Sequence, residues 1–363
     1  MKNTKKLFLS IILCVSAITA GYYVYNSTTD CNYAKTIFGN YEYDKEVLEV
    51  INSPVMQRLK NVDQSGPARY FGPVFPAFSR YDHSVGVWAI LKKAGCSIKE
   101  QIAGLIHDSS HTVFSHVGDY IFAKNINDYV QDSYQDSIHL KSLQKTKVKA
   151  ILEKAGFLAE DFDPEKNEYL CLEQPLPDMC ADRIQYNIYT GELLGLISQD
   201  DAKAIADNIK FEKGKWFFSD KKLAKKFADL SLYFTQNFWG SKWNTSMNIH
   251  LANALKRALD LKLITVKELF STDDVVMNKL VKNQDHLIQL NLQQCKMPLE
   301  KIPGKKYKTE FFKPKFRGID PLIKKENGKF VRLTKLDHMF KNHYEAVKKW
   351  CNDGFDLEIL TDY

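Results

Sequence analysis

The chain has 363 residues, 44% of them hydrophobic and 26% charged, which is the composition of a globular protein with room for one large domain or two. Its seven cysteines form no CxxC pair and no dense cluster, which excludes a cysteine-bound zinc knot and a small disulfide scaffold; we interpret them as free thiols. The net charge of +7 is unevenly placed, because residues 1–200 carry 20 Lys and Arg against 24 Asp and Glu, and the rest of the chain carries 31 against 20. A basic second half favours phosphate-bearing partners.

Residues 1–25 have the pattern of a signal peptide or an N-terminal membrane anchor. Three lysines, Lys2, Lys5 and Lys6, precede an apolar run from Leu7 to Tyr25 that is nearly long enough to span a bilayer. Because such lysines stay on the cytoplasmic side, we expect the remainder of the protein to be exported, or anchored to the membrane on its extracytoplasmic side if the segment is not cleaved. A buried N-terminal helix is the alternative.

The elements that follow are mainly helical, so we predict an all-α fold with a minor β-hairpin over residues 209–218. Residues 26–195 are predicted to form the core, and residues 196–363 a helical, basic extension packed on it. Residues 26–43 are expected to be a connector and residues 296–317 to be irregular, basic and aromatic. Helices are predicted over residues 44–53, 55–62, 83–94, 97–108, 117–123, 146–155, 178–189, from 198 onward, 219–239, 244–263 and 336–350.

Histidine and aspartate are concentrated between residues 80 and 119, where four of the nine histidines lie. A histidine followed by a His-Asp doublet is a pattern for binding metal, because imidazole nitrogen and carboxylate oxygen suit Zn, Fe, Mn or Mg. A carboxylate on a later helix would complete the set and leave positions open for water and a substrate oxygen. We therefore predict a divalent metal ion held by His83, His107, Asp108 and Asp182.

The residues after the doublet are candidates for acid–base chemistry. His116 and Asp119 are three apart and share a helix face, so the carboxylate would orient the imidazole and raise its basicity. His116 would then protonate a leaving oxygen or activate the attacking water. His111 and His139 are further candidates for lining the same site.

The order His83, His107-Asp108 and Asp182 resembles the H…HD…D signature of the HD-domain superfamily of metal-dependent phosphohydrolases. More narrowly, the chain resembles the deoxynucleoside triphosphate triphosphohydrolases of that superfamily. Segment 53–59 is similar to their Thr-Pro-x-x-Gln-Arg-Leu helix, and segment 80–87 to their Arg-x-x-His-Ser-Leu-Gly-Val. The similarity is dense over about residues 45–120, a stretch that includes the His-Asp doublet and the Phe-Ser-His after it. It resumes at Asp182-Arg183 and is faint beyond.

This resemblance implies a reaction that splits a nucleoside triphosphate at the sugar and releases nucleoside and inorganic triphosphate. It assigns the metal to the four predicted ligands and catalysis to His116 and Asp119, with His111 and His139 contacting the reacting phosphates. Four further residues are implied in substrate binding, the arginines through phosphate and the other two through the sugar: Arg80, Gln64, Arg183 and Tyr186.

The chain also departs from the family. The Asp-Pro-x-His-Gly segment before the first helix is absent, with Gly39-Asn40-Tyr41-Glu42 in its place, and the glycines between the histidines are replaced by Ser110, Thr112 and Val113. These changes alter the region of the family's activator sites and the loop over the substrate, and assembly into a homo-oligomer is left open.

Other functions remain open at this point. One is hydrolysis of other phosphomonoesters or phosphodiesters, including cyclic dinucleotides, although no Gly-Tyr-Pro follows the doublet. A di-iron oxygenase would need two irons per chain, ligated also by His111 and His139. A catalytically silent module that binds nucleotide or nucleic acid would use the lysines and aromatic residues between Lys296 and Arg317.

Overall fold

The computed structural model describes residues 32–72, 75–123, 133–166 and 169–361. The predicted signal or anchor segment, residues 1–25, lies outside these ranges. Across the described ranges, no helix is both long enough and apolar enough to cross a membrane.

Helices dominate the described part of the chain, which confirms the prediction of a mainly α-helical fold. The first half begins with strands β1 (Tyr33–Thr36) and β2 (Gly39–Glu42). Its helices are α1 (Lys45–Ile51), α2 (Pro54–Arg58), α3 (Pro67–Phe71), α4 (Arg80–Lys93), α5 (Ile98–Ile106), α6 (Val117–Phe122), α7 (Tyr134–Lys145), α8 (Val148–Lys154) and α9 (Ala181–Leu193).

The second half mixes further helices with six short strands. The helices are α10 (Gln199–Asn208), α11 (Lys221–Phe234), α12 (Lys242–Asp260), α13 (Asp273–Lys282), α14 (His286–Lys296), α15 (Leu333–Leu336) and α16 (His338–Asp353). The strands are β3 (Ile209–Glu212), β4 (Lys215–Phe218), β5 (Tyr307–Phe312), β6 (Leu322–Lys324), β7 (Phe330–Arg332) and β8 (Phe355–Leu360).

The predicted hairpin is confirmed as the pair β3–β4, which turns at Lys213 and Gly214, both with positive φ. Four other strand pairs were not expected. The predicted connector forms the antiparallel hairpin β1–β2, and the segment predicted to be irregular contains β5, which pairs with β8 after the last helix. Strands β4 and β6 pair in parallel and join β3 and β7 in a four-stranded sheet.

The helix predicted over residues 219–239 changes at Thr235, where α11 gives way to a π-helical turn, Thr235–Trp239. The helix predicted over residues 178–189 begins at Ala181, with Cys180 at its N-cap position. Helices α3, α7, α13, α14 and α15 were not predicted, and α3 lies in a segment, residues 65–79, that was expected to be a loop. The apolar residues of the main core come from both sides of residue 195, and the boundary predicted there stays a prediction.

Helices α4, α5 and α9 form the part of the fold that positions the histidines. Ten of the fourteen residues of α4 are buried, including polar ones, as expected for a helix packed on all sides. Ser79 caps α4 by accepting a hydrogen bond from the Asp82 amide at 3.0 Å, and Ser97 caps α5 through the Glu100 amide at 3.2 Å. Because a short turn joins the two helices, the start of α4 lies beside the end of α5.

Candidate metal centre and active site

The four predicted metal ligands meet where α4 begins, α5 ends and α9 begins. The His83 Nε2 atom lies 3.2 Å from His107 Nε2 and 3.0 Å from Asp182 Oδ1. The Asp108 carboxylate lies 3.5 Å from His107 Nε2 and 3.6 Å from His83 Nε2. Two ring nitrogens and two carboxylates that face one another at these distances need a cation or a proton between them. The structure therefore brings all four residues together.

The outer nitrogens of both imidazoles are already occupied. His83 Nδ1–H donates to Gln185 Oε1 at 2.6 Å, and His107 Nδ1–H donates to the Gly104 carbonyl at 2.7 Å. These bonds fix the ring tautomers and leave both Nε2 lone pairs directed at the centre, which is the arrangement that metal-ligating histidines adopt. The donor set therefore fits a divalent cation.

A glycine allows the Gln185 contact. A Cβ atom on Gly86 would lie 2.6 Å from Gln185 Nε2, far inside normal contact distance. Glycine at this position of α4 lets α9 come close enough for its glutamine to reach His83.

The centre is negatively charged in the absence of a cation. Burial opposes ionisation of Asp108, but Arg80, His107 and His111 outweigh it and hold the pKa of its carboxyl well below the usual range. The pKa of Asp182 is also low, because its hydrogen bonds to His107 and His83 outweigh the effect of burial. Burial lowers the pKa of His107, yet the two carboxylates raise it to about 9, so metal binding has to displace that proton.

Arg80 lies beneath the metal centre. Its side chain is buried; Nη1 donates to Asp108 and Nε donates to Ser115 Oγ at 2.8 Å. Among the described residues its Nη2 atom has no partner, and this atom is the one left for a phosphate oxygen. The phosphate contact of Arg80 stays a prediction. Its ion pair with the Asp108 carboxylate was not predicted.

The loop between α5 and α6 is strained. Phe114 and Ser115 both have φ of 58°, a conformation that non-glycine residues adopt only when their surroundings enforce it. The Phe114 amide donates to Asp273 Oδ1 at 2.7 Å, and the Ser115 hydroxyl donates to the Asp63 carbonyl. This backbone conformation places the next residue, His116, at the start of α6.

His116 and Asp119 form the predicted pair, with 3.0 Å between His116 Nδ1 and Asp119 Oδ2. The His116 side chain is 49% exposed, so the far side of its ring is open to a ligand, whereas Asp119 is buried. Burial opposes ionisation of Asp119, but the bond to His116 lowers its pKa below the usual value, and the Tyr134 amide adds a bond at 2.9 Å. The carboxylate therefore stays ionised beside the imidazole.

His111 and His139 are buried and neutral. Burial and the adjacent Arg80 lower the pKa of His111 to about 3, and its Nε2 lies 3.3 Å from Asp108 Oδ1. Burial and His107 lower the pKa of His139 to about 4, and its Nδ1 bonds to Ser110 Oγ at 3.0 Å. At neutral pH both rings act through hydrogen bonds and carry no charge.

A cavity of about 160 Å³ opens beside the His116–Asp119 pair, and its volume is more than ten times the space that one water needs. Of the predicted residues, four line it: Gln64, His116, Asp119 and Tyr186. The rest of its lining includes an aromatic and cationic group, here called the aromatic wall: Phe238, Trp239, Trp243, Lys315 and Arg317. Arg183 instead donates to the Glu173 carboxylate at 2.7 Å and to the Gln174 and Asp178 carbonyls.

Sequence reasoning missed several supporting residues. Arg58 lies in the similar segment 53–59, but only the structure gives its role, which is to donate to the His111 carbonyl at 2.8 Å and to the Ser271 carbonyl at 3.1 Å. Asp273 accepts hydrogen bonds from the Phe114 amide and, at 2.9 Å, from the Asp63 amide. The position of Asp273 as the first residue of a helix was a weak signal for it, whereas nothing local marked the aromatic wall.

The chain matches no family model. It is 30% identical over 326 residues to the uncharacterized protein YdhJ of Bacillus subtilis, covering 89% of this chain and 98% of that protein. It is 30% identical over 175 residues to the metal-dependent phosphohydrolase cns2 of Cordyceps militaris, covering 48% and 49%. It is 34% identical over 103 residues to the mouse deoxynucleoside triphosphate triphosphohydrolase SAMHD1, covering 23% and 15%.

Among solved structures, a phosphohydrolase from Bacteroides thetaiotaomicron superposes with a TM-score of 0.62 at 15% identity, over 90% of this chain and 97% of that one. This likeness concerns the fold. Together with the sequence relatives and the four-ligand centre, it establishes that the chain belongs to the HD-domain superfamily of metal-dependent phosphohydrolases, where it resembles the deoxynucleoside triphosphate triphosphohydrolases.

Proposed function

We propose that the protein hydrolyses (deoxy)nucleoside triphosphates, with deoxynucleotides as the first candidates, and releases nucleoside and inorganic triphosphate. One observation carries the proposal: the His116–Asp119 pair lines the cavity that also contains Tyr186, Gln64 and an aromatic wall. That cavity has the polar and apolar surfaces that a nucleoside needs, next to a site for phosphate chemistry.

His83, His107, Asp108 and Asp182 would hold the divalent ion, with Mg, Mn, Fe and Zn as candidates, and the ion would polarise a phosphoryl oxygen. In the proposed reaction a water oxygen bonds to the α-phosphorus, and the bond from phosphorus to the sugar oxygen breaks. The departing oxygen takes a proton, and His116 is placed to donate it. Asp119 stabilises the charged form of that imidazole and fixes the direction of its ring.

The sugar and base would occupy the rest of the cavity. The Gln64 Oε1 atom is buried and has no partner among the described residues, so it is free to accept a hydrogen bond from a sugar hydroxyl. Tyr186 is fixed by an edge-to-face contact with Trp239, with 5.9 Å between the ring centres. The aromatic wall beyond it offers flat surfaces for a base.

The test is turnover of the purified full-length chain with Mg, Mn, Fe or Zn and a panel of dNTPs, NTPs and simple phosphate esters. We expect nucleoside plus triphosphate, resolved by chromatography, and no product from the Asp108→Ala variant. Orthophosphate from a simple ester, without triphosphate release from nucleotides, would contradict the proposed substrate and leave the metal site intact. Absence of turnover by folded, metal-loaded protein would instead favour a silent nucleotide-binding module.

A further inference from the structure

We infer that Lys315 and Arg317, from the segment Pro314–Arg317 of the C-terminal half, form a cationic subsite that binds the polyphosphate chain of the substrate. The nucleoside part of this inference rests on the proposed function; the binding of a polyphosphate anion does not. The subsite would make the enzyme prefer triphosphates to esters with a single phosphate.

The segment is held in place at both ends. Phe312, at the end of β5, is fully buried and faces Phe355 in the paired strand β8. At the other end the Ile319 amide donates to Ser231 Oγ at 3.0 Å, and the Ile319 side chain is also buried. Anchors on both sides make this short stretch a fixed wall of the cavity.

Within the segment, neighbouring side chains face opposite ways. The Phe316 ring packs edge-to-face on Tyr344, with 5.1 Å between the ring centres, and contacts the main core. Lys315 and Arg317, on either side of it, line the cavity. The alternation of basic and aromatic residues visible in the sequence therefore separates into an apolar side facing the protein and a cationic side facing the ligand space.

The two cations make no direct contact with an acidic side chain. Neither forms an ion pair or a hydrogen bond with any residue in the described ranges. Desolvation is the main cause that lowers the pKa of Lys315; the neighbouring Arg317 and Arg183 add to it, and the more weakly acting Asp136 and Glu173 oppose it. Cations placed this close repel one another, and a polyphosphate bound between them would offset that repulsion.

The position of the subsite relative to the catalytic pair also fits. The same cavity is lined by His116 and Asp119, by Tyr186 of α9 and by the two cations. Arg317 is close enough to Tyr186 to influence its hydroxyl electrostatically. A phosphate chain whose first phosphorus lies near His116 would therefore have Lys315 and Arg317 within the same cavity.

Binding is tested separately from catalysis, on the metal-free full-length chain in the presence of a chelator. Titration calorimetry would compare inorganic tripolyphosphate with orthophosphate for wild type, K315Q, R317Q and the double variant. K313Q is the matched control, because Lys313 lies in the same stretch but its ammonium sits over Phe311, 6.0 Å from the ring centre, and does not line the cavity. Thermal unfolding would verify that each variant is folded.

We expect wild type and K313Q to bind tripolyphosphate alike and at least tenfold more tightly than orthophosphate, and the double variant to bind about tenfold to a hundredfold more weakly. R317K should restore part of the affinity, since the charge remains and the bidentate fork is lost. Equal affinity of the folded double variant and wild type would overturn the inference, as would a wild type that binds no tripolyphosphate.

Turnover then separates the two proposals. If wild type hydrolyses nucleoside triphosphates and the KM of the double variant is unchanged, the subsite is wrong and the proposed function stands. If wild type hydrolyses no nucleotide but binds tripolyphosphate through these two residues, the proposed function is wrong and the subsite stands.

Discussion

The metal centre and the aromatic and cationic lining of the cavity, here called the two sides of the site, are built in different ways. On the metal side, His83, His107, Asp108 and Asp182 come from three helices packed on one another and lie within 99 residues of each other along the chain; each is held by a hydrogen bond or ion pair. On the other side, Trp239 comes from a π-helical turn and Arg317 from an irregular segment of the C-terminal half. The difference suggests that the reaction depends on local helix geometry, whereas substrate choice depends on how the C-terminal half packs.

The largest effect is expected from the metal side. Asp182→Ala should abolish turnover and lower the metal content, because it removes one charge from a cluster of two histidines and two carboxylates. Metal bound per chain after dialysis and product formation measure the two effects. The exposed His338 provides the control, since His338→Ala removes an imidazole from elsewhere on the surface and should change neither.

His116→Gln should lower kcat by about 10²–10⁴-fold, the usual contribution of a positioned acid or base. The metal content should remain that of wild type, because His116 does not contact the four ligands' shared centre and pairs instead with Asp119. A kcat close to that of wild type would show that His116 does not take part in the reaction, although it lines the cavity.

Gly86→Ala should weaken metal binding and turnover by about tenfold to a hundredfold, as for loss of an outer hydrogen bond to a ligand. The added methyl group would push Gln185 away from His83, since it would lie 2.6 Å from the glutamine nitrogen. A double-mutant cycle sharpens the test: in the Gln185→Ala background the space is free, so Gly86→Ala should cost little more. Additive losses would show that the glycine acts through another contact.

The features that could be predicted from the sequence are those that depend on neighbouring residues along the chain. The turn at Gly95 that joins α4 to α5, the cap Ser97 and the Lys213-Gly214 hairpin depend on neighbours along the chain, so composition and spacing were sufficient. The structure brings the predicted ligands together for the same reason: histidines at helix ends are placed by helix length and turn. The start of α4 was predicted three residues too late, because the Ser79 cap was not recognised.

Features that depend on distant partners were not predictable. Strand β5 exists because β8 pairs with it from Tyr307↔Leu360 to Phe312↔Phe355, and β5 lies among lysines that gave it no clear strand pattern alone. Likewise, Arg183 was assigned to phosphate from its place after Asp182, but local carbonyls and Glu173 occupy its guanidinium. Its phosphate contact stays a prediction.

A separate effect, on stability, is expected from the buried carboxyls of Asp63 and Asp273, which lie beside the Phe114 loop. Burial raises the pKa of each to about 6, above the value of 3.8 expected when exposed. Between about pH 4 and 6 the unfolded chain loses protons that the folded chain keeps, so this pair lowers the free energy of unfolding as pH rises, by up to about 3 kcal/mol for each carboxyl. Above pH 6 the loss is complete.

Asp273→Asn isolates this effect from the other titrating groups. We expect the variant to be less stable than wild type, because one amide cannot accept all the hydrogen bonds that Asp273 receives from Phe114, Asp63 and Tyr70. The difference in unfolding free energy between the two proteins, measured by urea titration of metal-free samples, should shrink as pH rises from 4 to 6. A difference that stays constant over this range would mean that Asp273 is already ionised in the folded protein and accepts these hydrogen bonds as a carboxylate.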